Sequence, residues 1–124
     1  MSMTNKILII DDEQVVVDVL TERLRLHGFE VEYATDGKTG FEKACEFLPD
    51  IILMDVIMPG WSGFETANQL KTNHVTADMP IIFLTGLGED SLSRKHLEKY
   101  RHHVLLKPFK IEELLTVLAN NFEM

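Results

Sequence analysis

Three aspartates, a threonine and a lysine each stand just past a short apolar run. Asp11 and Asp12 follow Ile7 to Ile10, Asp55 follows Ile51 to Met54, Thr85 follows Ile81 to Leu84, and Lys107 follows Val104 to Leu106. A single aspartate in such a place is often only a turn former or a helix cap. Five polar groups so placed, three of them carboxylates, are hard to explain as capping. Carboxylates gathered at one point repel one another and either hold protons more tightly or recruit a cation. With oxygen donors only, a hard divalent ion is indicated. Mg²⁺ binds through one or two carboxylates and keeps several waters. Zinc would call for imidazole or thiolate ligands, and His27, His74, His96, His102 and His103 all fall elsewhere. Asp55 stands alone at the end of its run, before Val56, Ile57, Met58 and Pro59. A carboxylate can attack phosphorus and form an acyl phosphate if the charge developing on the phosphoryl oxygens is neutralised. Mg²⁺ supplies part of that, Lys107 a point charge, and the Thr85 hydroxyl a hydrogen bond.

The elements that must position these groups are short strands alternating with helices. Strands are expected at Ile7 to Ile10, Val31 to Tyr33, Ile51 to Met54, Ile81 to Leu84 and Val104 to Leu106. Most are apolar at consecutive positions, as in a parallel sheet covered on both faces. Helical spacing links Val16, Leu20 and Leu24, then Phe41, Ala44, Cys45 and Leu48, then Phe64, Ala67 and Leu70. The clearest stripe is the last: Ile111, Leu114, Leu115, Leu118 and Phe122. The segment from Glu89 to Tyr100 is weaker, anchored only by Leu92, Leu97 and Tyr100. Gly28 suits a left-handed position after the first helix, Pro49 stops the second at Leu48, and Ser62 with Glu65 reads as a capping box. A β-α unit repeated five times predicts right-handed crossovers and a doubly wound, five-stranded parallel α/β sandwich. Ligands in such folds collect at the carboxyl ends of the strands, where all five polar groups would converge.

Composition narrows the function classes. The chain has 124 residues, and 45% hydrophobic content is enough for one core. No linker or repeat divides it, so residues 1–124 are expected to form one domain. Twenty acidic against twelve basic residues leave a formal charge of -8, which disfavours direct nucleic-acid binding and anionic membranes. Cys45 is the sole cysteine, so no intramolecular disulfide can form and a reducing, cytoplasmic setting is expected. Its place on the second stripe makes a reactive thiol unexpected. Apolar runs of about four residues are too short for a membrane span.

The motifs Ile-Leu-Ile-Ile-Asp-Asp-Glu at 7–13, Asp-Val-Ile-Met-Pro-Gly at 55–60 with Gly63, Thr85-Gly86 and Lys107-Pro108-Phe109 resemble the receiver domain of bacterial two-component response regulators. The resemblance spans essentially the whole chain. It implies a flavodoxin-like fold with strand order 2-1-3-4-5, an example already familiar for the switch-point rule. It further implies that Asp55 accepts a phosphoryl group from a phosphohistidine of a sensor histidine kinase or histidine phosphotransfer protein. By the same resemblance, Asp12, Asp55 and the backbone carbonyl of Ile57 bind Mg²⁺, Asp11 acts through a water, and Lys107 and Thr85 contact the phosphoryl group. The Lys107–Pro108 bond is implied to be cis. The implied output surface is the 89–100 segment, the fifth strand and the last helix, which bind a downstream protein or output domain or form a phosphorylation-dependent homodimer. Arg94, Lys95, Lys99, Arg101 and Glu113 are the candidate charges there.

Two departures from the family pattern stand out. Val104 occupies a position where an aromatic residue often moves with the threonine, so coupling is expected to run through loop displacement. Ile57 and Leu87, two residues beyond Asp55 and Thr85, are both apolar and cannot orient an attacking water, which predicts a long-lived phosphoprotein. The competing class is a phosphorylation-independent pseudo-receiver that serves as a binding or dimerisation module. An aspartyl-intermediate phosphatase is disfavoured because no second acid lies two residues past Asp55, and dinucleotide binding because no Gly-rich loop follows the first strand.

Overall fold

The computed structural model describes residues 5–86 and 104–122. Five strands, β1 (Lys6–Ile10), β2 (Glu30–Ala34), β3 (Ile51–Asp55), β4 (Ile81–Thr85) and β5 (Val104–Leu106), pair in the order β2-β1-β3-β4-β5, every pairing parallel. Four described helices cover them: α1 (Gln14–Leu26), α2 (Gly37–Phe47), α3 (Gly63–Thr72) and α4 (Ile111–Phe122). This is the expected fold and strand order. The segment expected to be helical over 89–100 lies outside the described residues, as do Leu87, Arg94, Lys95, Lys99 and Arg101.

Consecutive apolar residues in the central strands serve two cores. Ile7, Ile9, Leu53, Ile82 and Leu84 face α1 and α4, meeting Val17, Leu20, Leu24, Leu114 and Leu118. Their neighbours Leu8, Ile10, Ile52, Met54 and Phe83 face the other way, onto Ala44, Ala67 and Leu70 of α2 and α3. Period-two alternation within an all-apolar strand therefore fills both layers. Each such side chain stabilises the fold by roughly 1.5–3 kcal/mol relative to exposure.

The helix termini follow local chemistry. Ser62 accepts from the Glu65 amide at 3.1 Å while the Glu65 carboxylate accepts from the Ser62 amide at 3.0 Å, the reciprocal box expected for α3. Asp36 caps α2 through the Thr39 amide at 2.8 Å. Gly28 has φ +92°, as its place after α1 required. The end of α2 differs by one residue: the helix stops at Phe47, and Leu48 caps it in the left-handed region with φ 54°. Proline at 49 bars the residue before it from helical geometry.

The buried face of α2 also differs from the large apolar stripe. Gly37, Gly40 and Ala44 are buried, Phe41 and Cys45 are half-buried, and Leu48 is exposed. A Cβ on Gly40 would sit 2.5–3.0 Å from the Ile10 side chain, so the helix packs by close approach rather than by large side chains. In α1 the buried positions are Val17, Leu20, Thr21 and Leu24, with Val16 only half-buried.

Candidate functional site: an acidic pocket at the carboxyl edge of the sheet

Parallel strands in this order bring their carboxyl ends to one edge, and β1, β3, β4 and β5 deliver the five predicted side chains there. The Asp11 amide extends the ladder by donating to the Ala34 carbonyl at 3.1 Å. Its wholly buried carboxylate accepts the Glu13 amide at 2.9 Å and the Lys107 ammonium at 2.8 Å. Asp12, next in the chain, is exposed. Asp55 closes β3 opposite Leu84 and is almost fully buried. Carboxylate oxygens of Asp11, Asp12 and Asp55 all lie within 4.8 Å of one another.

Gly63 fixes how β3 hands over to α3. Its amide donates to the Val56 carbonyl at 2.8 Å, and a Cβ there would overlap the Asp55 carbonyl oxygen and stand 2.9 Å from the Val56 Cα. Only glycine allows α3 to start this close behind Asp55.

Thr85 closes β4 and is buried, and its carbonyl accepts the Lys107 amide at 2.8 Å. Lys107 follows β5 directly, and its bond to Pro108 is cis. The Lys107 Nζ lies 2.8 Å from Asp11, 3.3 Å from Glu13 and 3.6 Å from Asp55. The lysine thus belongs first to Asp11 and only more loosely to Asp55. Ile57 sits in the β3–α3 loop with its side chain 58% exposed. Val104 is half-buried and paired in register with Phe83. Trp61 packs edge-on to Phe41 at 6.3 Å between ring centroids.

The electrostatics follow from this crowding. Burial and the nearby Asp11 charge raise Asp55 from 3.8 to about 7, and Lys107 offsets only part of that while Asp12 adds to it. Burial alone would lower Lys107, but its hydrogen bond to Asp11 and the surrounding carboxylates lift it above 10.5. Three carboxylates, Asp11, Glu13 and Asp55, therefore share the Lys107 ammonium, and Asp12 adds a fourth negative charge beside Asp11 and Asp55. The close donors are all oxygen and carry excess negative charge, a set that fits a hard divalent cation such as Mg²⁺.

Glu13 was not among the residues assigned from the sequence. It stands in the Asp-Asp-Glu run, but nothing in its spacing reveals a partner in β5's trailing loop. Beside it, a groove of about 660 Å³ runs between α1 and the 107–111 segment, lined by Val15, Val16, Val19, Lys107 and Phe109 among others. Val15 and Val19 are largely exposed on its wall. Among the described residues, no helix is long and apolar enough to cross a membrane.

A parallel sandwich in this strand order, with a lysine and an acidic cluster at its carboxyl edge, is the arrangement that the resemblance to receiver domains implied. The response regulator receiver domain family model matches residues 7–119, and the chain belongs to that family. The DNA-binding dual master transcriptional regulator RpaA of Synechocystis sp. is 34% identical over 110 residues, covering 89% of this chain and 46% of the relative. The phosphate regulon transcriptional regulatory protein PhoB of Pseudomonas aeruginosa is 36% identical over 112 residues, covering 90% of this chain and 49% of the relative. The chain spans about half the length of these two relatives. Among solved structures, Vibrio cholerae chemotaxis protein CheY4 superposes with a TM-score of 0.88 at 29% identity, covering 95% of this chain and 98% of that one. The receiver domain of a Pseudomonas aeruginosa sensor histidine kinase, solved with a magnesium ion coordinated in its active site cleft, gives 0.88 at 27% identity and covers 98% of this chain and all of that one.

Proposed function

We propose that residues 1–124 act as one receiver unit, a phosphoacceptor switch in which Asp55 takes a phosphoryl group from a phosphohistidine of a sensor kinase or phosphotransfer protein. The observation that carries this reading is Asp55 itself: a buried carboxylate beside two others and one lysine, its proton affinity raised to about 7. In the transfer, an Asp55 oxygen forms a bond to phosphorus, the P–N bond breaks, and its electron pair stays with the departing imidazole. The clustered carboxylates would hold Mg²⁺, which when bound would supply positive charge that favours the ionised form of Asp55 and offsets charge on the phosphoryl oxygens.

Asp12, Asp55 and the Ile57 carbonyl are the residues assigned to hold that ion. Asp11 has one oxygen on the Glu13 amide and the other on Lys107, which supports an outer role through a water. Lys107 swings its ammonium onto the new phosphoryl group, and the Thr85 hydroxyl donates to a second oxygen. The donor side chain approaches over the groove, whose exposed Val15 and Val19 suit an apolar helical partner. A downstream protein or output domain then binds at the 89–100 segment, β5 and α4. Ile57 and Leu87 are apolar and neither can orient an attacking water, so the phosphoprotein is long-lived. The complete acidic set sits poorly with a phosphorylation-independent module.

The test is intact mass after incubation with Mg²⁺ and acetyl phosphate, beside Asp55→Ala. Gain of one phosphoryl group by the parent alone supports the reading; no gain by either removes it.

A further inference from the structure

We infer that Glu13 is a positioning residue for Lys107, the releasable partner that sets the lysine's resting place away from the phosphoacceptor. The inference rests on the reading of Asp55 as that acceptor and goes beyond it.

The first observation is a missing cap. Helices begin best behind Asp, Asn, Ser or Thr, whose short side chains accept from the first free amides. Asp36 and Ser62 do this for α2 and α3. Glu13 occupies the same position for α1, in extended conformation with φ -90° and ψ 105°, and makes no side-chain cap bond. Its carboxylate instead lies 3.3 Å from the Lys107 ammonium, 94 residues further along the chain.

The second observation is the geometry around that ammonium. Asp11 grips both ends of the contact, taking the Glu13 amide on one oxygen and Lys107 on the other. Lys107 therefore has two hydrogen-bonded carboxylates, with Asp55 further off at 3.6 Å. To reach a phosphoryl group on Asp55, the ammonium must give up a partner. Asp11 is wholly buried and fixed, whereas the Glu13 side chain is 62% exposed. Glu13 is the partner that can let go into water at little cost.

Two substitutions separate this role from a structural one. Glu13→Gln removes the charge. Glu13→Asp keeps the charge but is one methylene shorter, loses its reach to Lys107, and becomes a good cap for α1. With the lysine freed, both variants should take phosphoryl from acetyl phosphate faster at saturation, and hold it longer, by about two- to five-fold, the range of an exposed ion pair. The half-saturating acetyl phosphate concentration should fall for Glu13→Gln alone, because only that variant repels the anion less. Urea denaturation should show Glu13→Asp stabilised and Glu13→Gln not. Rates that move together while stabilities diverge support the assignment. Wild-type rates and lifetimes in both variants, or rates that follow stability, overturn it and leave Asp55's role standing. A wild type that takes no phosphoryl group at all overturns both.

Discussion

Replacing Asp55 by Asn should make the metal-free protein more stable at pH 8, although it deletes a residue from the centre of the site. In the folded chain, burial and Asp11 raise Asp55 from 3.8 to about 7. A carboxyl held above its unfolded value favours the fold only while protonated. That contribution is fully present below about pH 4 and is lost as pH climbs to about 7. At about 1.4 kcal/mol for each pH decade, the span is worth about 4 kcal/mol. Asparagine keeps the shape and has no charge to desolvate. In EDTA, urea denaturation should place Asp55→Asn level with wild type at pH 4 and ahead of it by about 2–4 kcal/mol at pH 8. Adding Mg²⁺ at pH 8 should close the gap by stabilising the wild type, since a ligand of the native state adds RT ln(1 + [L]/Kd). A gap that is flat with pH, or a wild type that gains on the variant as pH rises, would refute the account of Asp55 as a carboxylate ionised against its surroundings.

Three further outcomes follow from the same contacts. Lys107→Met strands the buried Asp11 charge, so it should destabilise the protein by about 3 kcal/mol at pH 7 and slow phosphoryl uptake, read by urea denaturation and intact mass. Gly63→Ala drives a methyl into the Asp55 carbonyl, and a loss of at least about 2 kcal/mol with weakened Mg²⁺ binding is expected by denaturation and Trp61 fluorescence. The outward carbonyls of the edge strand β2 are covered by Arg25 on Val31 and Lys43 on Tyr33, each at 2.8 Å, so Arg25→Met with Lys43→Met should promote concentration-dependent association in sedimentation experiments.

Much of the fold was legible because its signals are local. Ser62 and Glu65 are three residues apart and make the box their spacing announces, and the Leu114–Leu118 stripe declares the face of α4. The buried face of α2 was less legible. Its markers are Gly37, Gly40 and Ala44, small residues that signal close approach only once Ile10 is known to lie against them. Asp11, Asp12, Asp55 and Lys107 could be brought together from the sequence because each ends a strand, and parallel order does the rest. Glu13 could not. Its contact depends on where α1 starts relative to the loop after β5, a tertiary relation with no periodicity to betray it. Repulsion from Asp11 could be foreseen from the clustered carboxylates, but the larger cause of the raised Asp55 proton affinity, desolvation, belongs to the packed molecule and not to any run of residues.

The resting distances also bear on what a switch at this site requires. Moving a two-state equilibrium from about 1% to 99% takes roughly 5.5 kcal/mol of differential stabilisation. Lys107 starts on Asp11 and Glu13, so the proposed move to a phosphoryl group would exchange existing charge-assisted bonds for new ones and gain only their difference. A hydrogen bond to a charged group contributes about 1.5–3 kcal/mol net, so one such exchange falls short on its own. Thr85 closes the strand beside Asp55 and is tied through its carbonyl to the Lys107 amide. In the proposed switch, a phosphoryl group that draws on both side chains would pull one connected piece of backbone from two points, each adding to what a single exchange supplies. With Val104 where an aromatic lever would otherwise stand, the backbone hydrogen bond from the Lys107 amide to the Thr85 carbonyl would carry the coupling in the proposed switch. Loss of either side chain should therefore leave phosphorylation of Asp55 possible and the conformational response incomplete.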